Sequence, residues 1–192
     1  IYPIELAFLG LFDFIREKMS ARNGQAIVHA RRVRVISFLL MYGILTLISI
    51  GFYPANMSPD SVAYWCGALK EGKLFDNTPI ALILFMRLLS YIAQTPYTYI
   101  QFQCIAFALV MSGVFDMMYR FGIQRAVVYL LSVTAALLPC NYMSMSYCSS
   151  NPLFAILVLW NMLLMLRLLY DPEKYAGSAL WIIEMAIAMA SV

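Results

Sequence analysis

Apolar residues along the chain occur in runs long enough to cross a membrane. A spanning helix needs roughly 20 mostly apolar residues. Five runs approach this length and predict membrane spans, namely residues 35–53, 97–119, 126–140, 152–169 and 178–192. A shorter run at residues 80–93 contains Arg87, which favours a re-entrant or interfacial helix there. Residues 1–14 are apolar but hold two acidic side chains, so we expect them at the membrane interface.

Charged residues between these runs predict which side of the membrane each segment faces. Six of the thirteen Lys and Arg residues lie within residues 16–34, and such clusters stay on the cytoplasmic side. Residues 54–78 then form an exofacial loop. The basic turn near residue 120 and the basic loop near residue 170 are also predicted to be cytoplasmic, which makes residues 141–151 exofacial. This order requires residues 80–93 to begin and end outside, whereas a true span there would reverse every later segment.

Composition agrees with this pattern, since 63% of the residues are apolar and only 12% are charged. A soluble domain is about half apolar and about a quarter charged. We therefore predict an all-α, polytopic bundle of transmembrane helices, integral to a bacterial plasma membrane. Residues 1–34 are predicted to be an interfacial helix and a basic cytoplasmic segment, and residues 35–192 the transmembrane module. The chain lacks an initial Met and ends within an apolar run, so we expect a fragment of a longer protein.

The exofacial loop contains a strong helix start. Ser58 can accept hydrogen bonds from the first free N–H groups, and Pro59 fits the first helical position. Asp60 then lies in the first turn, where the helix dipole favours negative charge. Three apolar residues follow on one helical face: Val62, Trp65 and Leu69. We predict a short amphipathic helix on the membrane surface that ends at Gly72, with its aromatic residues at headgroup depth.

Several motifs in this order carry a resemblance to a known family. Residues 58–65 read S-P-D-S-V-A-Y-W, and they are followed by Thr78-Pro79, by Pro139 and Asn141, and by Ser150-Asn151. The arrangement resembles the GT-C membrane glycosyltransferases, and it is most similar to poorly characterised bacterial members. Those proteins have His-Pro in place of Thr78-Pro79 and Lys-Asp in place of Ser150-Asn151. The resemblance covers most of the chain.

The resemblance implies transfer of a sugar from a polyprenyl-phosphate carrier to an acceptor on the exofacial side. Asp60 would act as general base or position the acceptor, because inverting transfer needs a group that takes the acceptor proton. Arg87 would stabilise the departing lipid phosphate. The other predicted substrate-binding residues are Ser58, Ser61, Tyr64, Trp65, Asp76 and Asn141. Membrane lipids are the second predicted partner, and neither a nucleic acid nor a cofactor is predicted.

Other interpretations of the same residues remain open. Asp60 can be a helix-start residue only, Arg87 can extend to a lipid headgroup, and the loop aromatics can be interfacial anchors. Asp116 is predicted to pair with Arg120, four positions later on a helix. A transporter or lipid-linked-sugar flippase is the alternative function, with Glu184 among its pathway residues, and a non-catalytic scaffold is the third. The four cysteines and one histidine show no zinc spacing, while a divalent cation held by carboxylates is left open.

Overall fold

The computed structural model describes residues 26–69, 80–176 and 178–190, and these ranges are mostly helical. The nine helices described are, in chain order, α1 Ala26–Gly51, α2 Pro59–Leu69, α3 Ile80–Ser90, α4 Pro96–Arg120, α5 Arg125–Leu137, α6 Pro139–Ser146, α7 Ser150–Tyr170, α8 Pro172–Ala176 and α9 Ala179–Ala190. Several sequence predictions concern positions outside the described residues: residues 1–14, Gly72, Asp76 and Thr78-Pro79.

Three of these helices are long and apolar enough to cross a membrane, namely α1 from His29 onwards, α4 and α7. They correspond to the predicted spans at residues 35–53, 97–119 and 152–169. The helical architecture is thereby confirmed, with three candidate membrane spans. α1 begins at Ala26, so the predicted boundary at residue 34 falls inside a helix. The reason is that arginine is a good helix former and can extend the first turns of a span.

The predicted span at residues 126–140 is a bent pair of helices. α5 ends at Leu137, and α6 starts at Pro139 with its axis turned by 53°. Proline has no N–H group and collides with the carbonyl four residues earlier, so it ends or kinks a helix. The pair could form a fourth crossing by length and composition. The prediction of a loop at residues 141–151 is wrong except for residues 147–149, because α6 continues to Ser146 and α7 starts at Ser150.

α4 is the central helix, since α1, α3, α5, α6 and α7 all contact it. Its buried side chains include Tyr99, Ile100 and Phe107. Gly113 allows α4 and α7 to approach closely, because a Cβ atom there would lie 2.5 Å from Cδ2 of Leu163. Small residues play this role where helices pack within membranes. α9 covers twelve residues of the fifth predicted span and is by itself shorter than a crossing.

α3 is a short helix beside the start of α4. Its eleven residues extend about 16 Å, against roughly 30 Å for the hydrocarbon core. The ring of Phe85 contacts Tyr99 and Phe102, with centroids 6.3 Å and 4.7 Å apart. Thr95 then caps α4 by accepting a hydrogen bond from the Tyr97 N–H, at 3.3 Å. The described part of α3 is therefore about half the length of a crossing, and its re-entrant or interfacial placement stays a prediction.

Two segments that were both predicted to be exofacial meet at one end of the bundle. The Asn56 N–H donates to the Ser146 carbonyl at 2.9 Å, and the Cys148 N–H donates to the Asn56 carbonyl at 3.3 Å. The side chain of Asn56 also donates to Ser146 Oγ at 3.1 Å. We call this pairing the outer clasp. The side chains of Arg34, Arg120 and Arg167 gather at the opposite end, which we call the basic end.

Candidate functional site

Ser58 and Ser61 form the start of α2. Ser58 Oγ accepts a hydrogen bond from the Ser61 N–H at 3.1 Å and lies 2.9 Å from Ser61 Oγ. The Ser58 carbonyl accepts from the Val62 N–H at 3.0 Å. These bonds satisfy N–H groups that a helix start leaves without partners. The two serines, predicted to bind substrate, therefore cap the helix, and Ser61 is fully buried.

Asp60 lies in the first turn of α2 with its side chain exposed. The carboxylate makes no hydrogen bond or ion pair with any residue that the structure describes. Its position is well defined, because α2 starts three residues after Asn56 of the outer clasp. Asp60 therefore presents an oxygen acceptor at the outer end of the bundle.

Trp65 is part of the protein core, with only 7% of its surface exposed. Ser61, Trp65 and Ala68 face inward, whereas Val62 and Leu69 are 45% and 46% exposed. The predicted apolar surface of α2 is therefore wrong for Trp65, which packs inward, whereas Val62 and Leu69 are exposed. In a membrane protein, lipid-facing positions are apolar too, so small and polar residues often mark the packed side. Trp65 is not placed to stack on a sugar, and Tyr64 is half-buried against the same core.

Arg87 holds the other end of α2. Its Nε donates to the Ala68 carbonyl at 3.1 Å and its Nη2 donates to the Gly67 carbonyl at 3.3 Å. These carbonyls belong to the last turn, where a helix lacks acceptor partners and where a cation is favourable. Arg87 also lines a cavity of about 340 Å³ with Ser90, Tyr91 and Gln94.

The structure places the predicted base and the predicted phosphate ligand at opposite ends of α2. Asp60 and Ala68 are eight residues apart, which is about 12 Å along the helix axis. A bound sugar phosphate and its acceptor would have to bridge most of this distance. Asp60 and Arg87 are therefore both positioned by α2, one at each end, and they do not contact each other.

The side chain of Asn141 supplies a hydrogen-bond donor at the bend between α5 and α6. Its Nδ2 donates to the Ala135 carbonyl at 2.7 Å. That carbonyl is four residues before Pro139, so it is the acceptor that the missing proline N–H would have occupied. Asn141 was predicted to bind substrate. Its side-chain amide is instead hydrogen-bonded to the backbone of α5.

Two buried polar residues of α4 hold the link between α6 and α7, and sequence reasoning did not identify them. Tyr99 OH and Gln103 Nε2 both donate to the Ser149 carbonyl, at 2.7 Å and 3.2 Å. The neighbouring Cys148 is fully buried, and this burial raises the pKa of its thiol to about 12. Polar residues four positions apart in an apolar run were the available signal.

A second polar cluster joins α4 to α1. Gln101 Oε1 accepts hydrogen bonds from Tyr42 OH and Thr46 Oγ1, and Gln101 Nε2 donates to Ser49 Oγ at 3.0 Å. Ser49 Oγ donates its only proton to the Thr46 carbonyl at 2.8 Å. The remaining contact of Ser49 Oγ, 3.2 Å from Tyr97 OH, must therefore have the tyrosine as donor.

Two further sources of information on function were compared with this site, namely possible metal-binding clusters and known proteins. Within the described ranges, no three His, Cys, Asp or Glu side chains come together as a possible metal site. Comparison with protein-family models, with curated proteins and with solved structures gives no match. The interpretation of the outer end therefore depends on its own residues and on the motif order of the sequence.

Proposed function

We propose that this chain belongs to a membrane glycosyltransferase that uses a polyprenyl-phosphate sugar on the exofacial side. The observation that carries the proposal is the exposed Asp60 carboxylate, presented by a capped helix that begins three residues after Asn56 of the outer clasp. General bases need this combination of a defined position and access to the acceptor. The motif order around Asp60 supports the same chemistry.

In the proposed reaction, an acceptor hydroxyl attacks the anomeric carbon of the carrier-bound sugar. The new C–O bond forms as the bond from that carbon to the phosphate oxygen breaks. Asp60 takes the hydroxyl proton, and the polyprenyl phosphate leaves with the bonding electron pair. The phosphate carries negative charge throughout, so a cationic neighbour stabilises its departure.

Arg87 has a more specific role in this proposal than the sequence suggested. Its bonds to the last turn of α2 position the helix that carries Asp60. The cavity that Arg87 lines is where we propose the carrier phosphate binds, with the sugar directed along α2 toward Asp60. Arg87→Lys should then retain part of the donor affinity, because lysine keeps the charge but loses the planar donor pair.

The test compares Asp60→Asn with the wild type in full-length protein, reconstituted in liposomes with a polyprenyl-phosphate sugar. Turnover should fall about 10²–10⁴-fold, the usual contribution of a general base. Glu173→Gln is the matched control, since it removes an exposed carboxylate from α8 and should leave transfer unchanged. Wild-type rates in Asp60→Asn would refute the role of Asp60.

A transporter or flippase is the second candidate, and the bent α5–α6 pair favours it. Transporters commonly build their substrate sites from interrupted helices. Uptake or flipping of a labelled lipid-linked sugar by the same liposomes, without any transfer product from several donors, would select this candidate. Transfer that depends on Asp60 would reject it.

A further inference from the structure

A polar seam lies between α1 and α4, and we use this name for Tyr42, Thr46 and Ser49 of α1 together with Tyr97 and Gln101 of α4. Both helices are candidate membrane spans. Ser49 is buried, whereas the other four side chains of the polar seam are half-buried. Polar side chains within a span usually face the interior of the bundle or hydrogen-bond to another helix. The exposed side of the polar seam is therefore a candidate contact surface for a further helix.

Gln101 has one hydrogen-bond donor to spare. Its Oε1 accepts from Tyr42 OH at 3.2 Å and from Thr46 Oγ1 at 3.3 Å, and these two bonds occupy both lone pairs. One N–H of Nε2 donates to Ser49 Oγ at 3.0 Å, and the second makes no hydrogen bond with any residue that the structure describes. Thr46 Oγ1 donates its only proton to Gln101 and accepts from no residue in the described ranges. One copy of the chain thus offers a free donor and a free acceptor side by side.

This donor and this acceptor lie at the same depth in the membrane, because the side chains of Thr46 and Gln101 are hydrogen-bonded to each other. Two copies that insert in the same orientation are related by a two-fold axis along the membrane normal. Such an axis brings surfaces of equal depth face to face. The free N–H of Gln101 then meets the Thr46 oxygen of the second copy, and the same bond forms in the reverse direction. The polar seam is therefore complementary to a second copy of itself.

An exposed surface of α1 adjoins the polar seam, and its shape admits the close approach of another helix. Ile36, Gly43 and Ile50 recur every seven residues, so they lie on one side of α1. Leu39 and Leu47 flank them, with 58% and 71% of their surfaces exposed. A Cβ atom added to Gly43 would meet nothing within 4 Å, and glycine lets the backbones of two membrane helices approach closely. We call these five residues the α1 face.

We infer that the chain forms a two-fold symmetric dimer in the membrane, in which the polar seam and the α1 face of one copy pack on the same surfaces of the other. Apolar contact alone does not select this surface, since lipid tails cover an apolar helix equally well. The two reciprocal hydrogen bonds supply the selection, because lipid tails have no group that replaces them. The inference is independent of the proposed function, since it involves neither Asp60 nor Arg87.

Energy transfer between donor-labelled and acceptor-labelled copies measures the dimer in liposomes, with the full-length chain diluted over a series of protein-to-lipid ratios. Thr46→Val keeps the shape of the side chain and removes the acceptor oxygen. The loss of two intermolecular hydrogen bonds should raise the dissociation constant about tenfold. Tyr42→Phe is the matched control, because it also removes a donor to Gln101 Oε1 but leaves the Thr46 oxygen in place. Its dimer should be as tight as that of the wild type.

Gly43→Leu tests the close approach of the two α1 helices. The new side chain starts in open space, so the fold of a single copy should be unaffected. In the dimer it collides with α1 of the second copy, so the dissociation constant should rise more than in Thr46→Val. Circular dichroism and elution volume of each variant confirm that it is folded before energy transfer is compared.

Disulfide cross-linking locates the contact on the surface of the bundle. In a variant without native cysteines, Ile50→Cys should form a disulfide with the same residue of a second copy on oxidation, because residues beside a two-fold axis face their own equivalents. Ile50 is one turn beyond Thr46 on α1. Met162→Cys on α7 is the matched control, since Ile50 and Met162 are both 58% exposed, and it should not cross-link.

Four results would overturn the inference. Energy transfer no greater than random proximity at every protein-to-lipid ratio would show a monomer. Cross-linking through Met162→Cys and not through Ile50→Cys would place the contact on α7. Equal weakening by Thr46→Val and Tyr42→Phe would show that the reciprocal hydrogen bonds do not select the contact. Protection of Ile50→Cys from a lipid-soluble maleimide, with no cross-link, would show that another protein segment covers the α1 face.

Discussion

At the scale of single residues, polar side chains complete backbone hydrogen bonding where the helices are interrupted. Asn141 supplies the donor that Pro139 cannot give to the Ala135 carbonyl, and Tyr99 and Gln103 supply donors to Ser149. Each carbonyl lies next to a bend or a helix start. An unpaired carbonyl is costly within a membrane because no water replaces the missing partner. These side chains are therefore required by the shape of the chain before any ligand binds.

Asn141→Leu tests this role, since leucine keeps the size of the side chain and removes its donor. The Ala135 carbonyl would lose its partner, which should cost about 1–3 kcal/mol of stability. Adding Pro139→Ala restores a backbone N–H to the same carbonyl, so the cost should shrink in that background. Thermal unfolding in detergent measures all four proteins of the cycle. An equal loss of stability from Asn141→Leu with and without Pro139→Ala would contradict the role of Asn141 as the replacement donor.

Cys148 gives a second prediction at this scale. Only the thiolate reacts with maleimides, and burial raises the pKa of this thiol to about 12. The thiol is therefore protonated at pH 8 in the folded protein, and labelling should become appreciable only when the protein unfolds. A Cys148-only variant followed by mass spectrometry with increasing denaturant provides the measurement. Rapid labelling of the native protein at pH 8 would argue against this burial.

At the scale of elements, α2 is held at both ends by different chemistry. The Ser58 side chain caps its first turn, and the Arg87 guanidinium binds the carbonyls of its last turn. Trp65 buries the middle of the helix in the core. A helix of eleven residues is too short to be stable alone in water. Its order therefore depends on these three attachments.

Hydrogen exchange in nanodiscs should separate the attachments of α2. Ser58→Ala removes a cap worth about 1 kcal/mol and should expose mainly the first turn. Arg87→Gln should expose mainly the last turn, because a neutral amide reaches the two carbonyls less well than a guanidinium does. Trp65→Ala should loosen the whole helix, at a cost of about 3–5 kcal/mol. Uniform protection across α2 in all three variants would contradict this division.

The start of α2 was more predictable from the sequence than its inward face. Ser58-Pro59 marks a helix start through local chemistry, and the structure has α2 beginning at Pro59. The inward face of α2 was not predictable from hydrophobicity, because Val62 faces outward as an apolar residue in a chain that has lipid around it. Likewise, the role of Arg87 depends on a contact with residues 19 and 20 positions earlier, which no local pattern contains.

At the scale of the whole molecule, polar chemistry is divided between two ends. The outer clasp joins Asn56 to residues 146–148 and carries the helix that presents Asp60. The basic end gathers Arg34, Arg120 and Arg167 from three different spans. The positive-inside rule predicts that this end faces the cytoplasm. The sequence predicted this arrangement of sides, and the clasp supplies a physical contact between the two predicted exofacial segments.

Accessibility of single cysteines tests the orientation of these ends. In a variant without native cysteines, Asp60→Cys and Asn151→Cys place exposed thiols near the outer clasp, and Gln124→Cys places one in the turn between α4 and α5. An impermeant maleimide added to intact cells should label the first two and leave Gln124→Cys unlabelled. Permeabilised cells provide the control, because all three thiols should then react. The clasp holds residues 56 and 147 together, so opposite results for Asp60→Cys and Asn151→Cys would contradict the fold itself. Labelling of Gln124→Cys alone in intact cells would preserve the fold and reverse its orientation, which would place Asp60 in the cytoplasm and exclude an exofacial sugar acceptor.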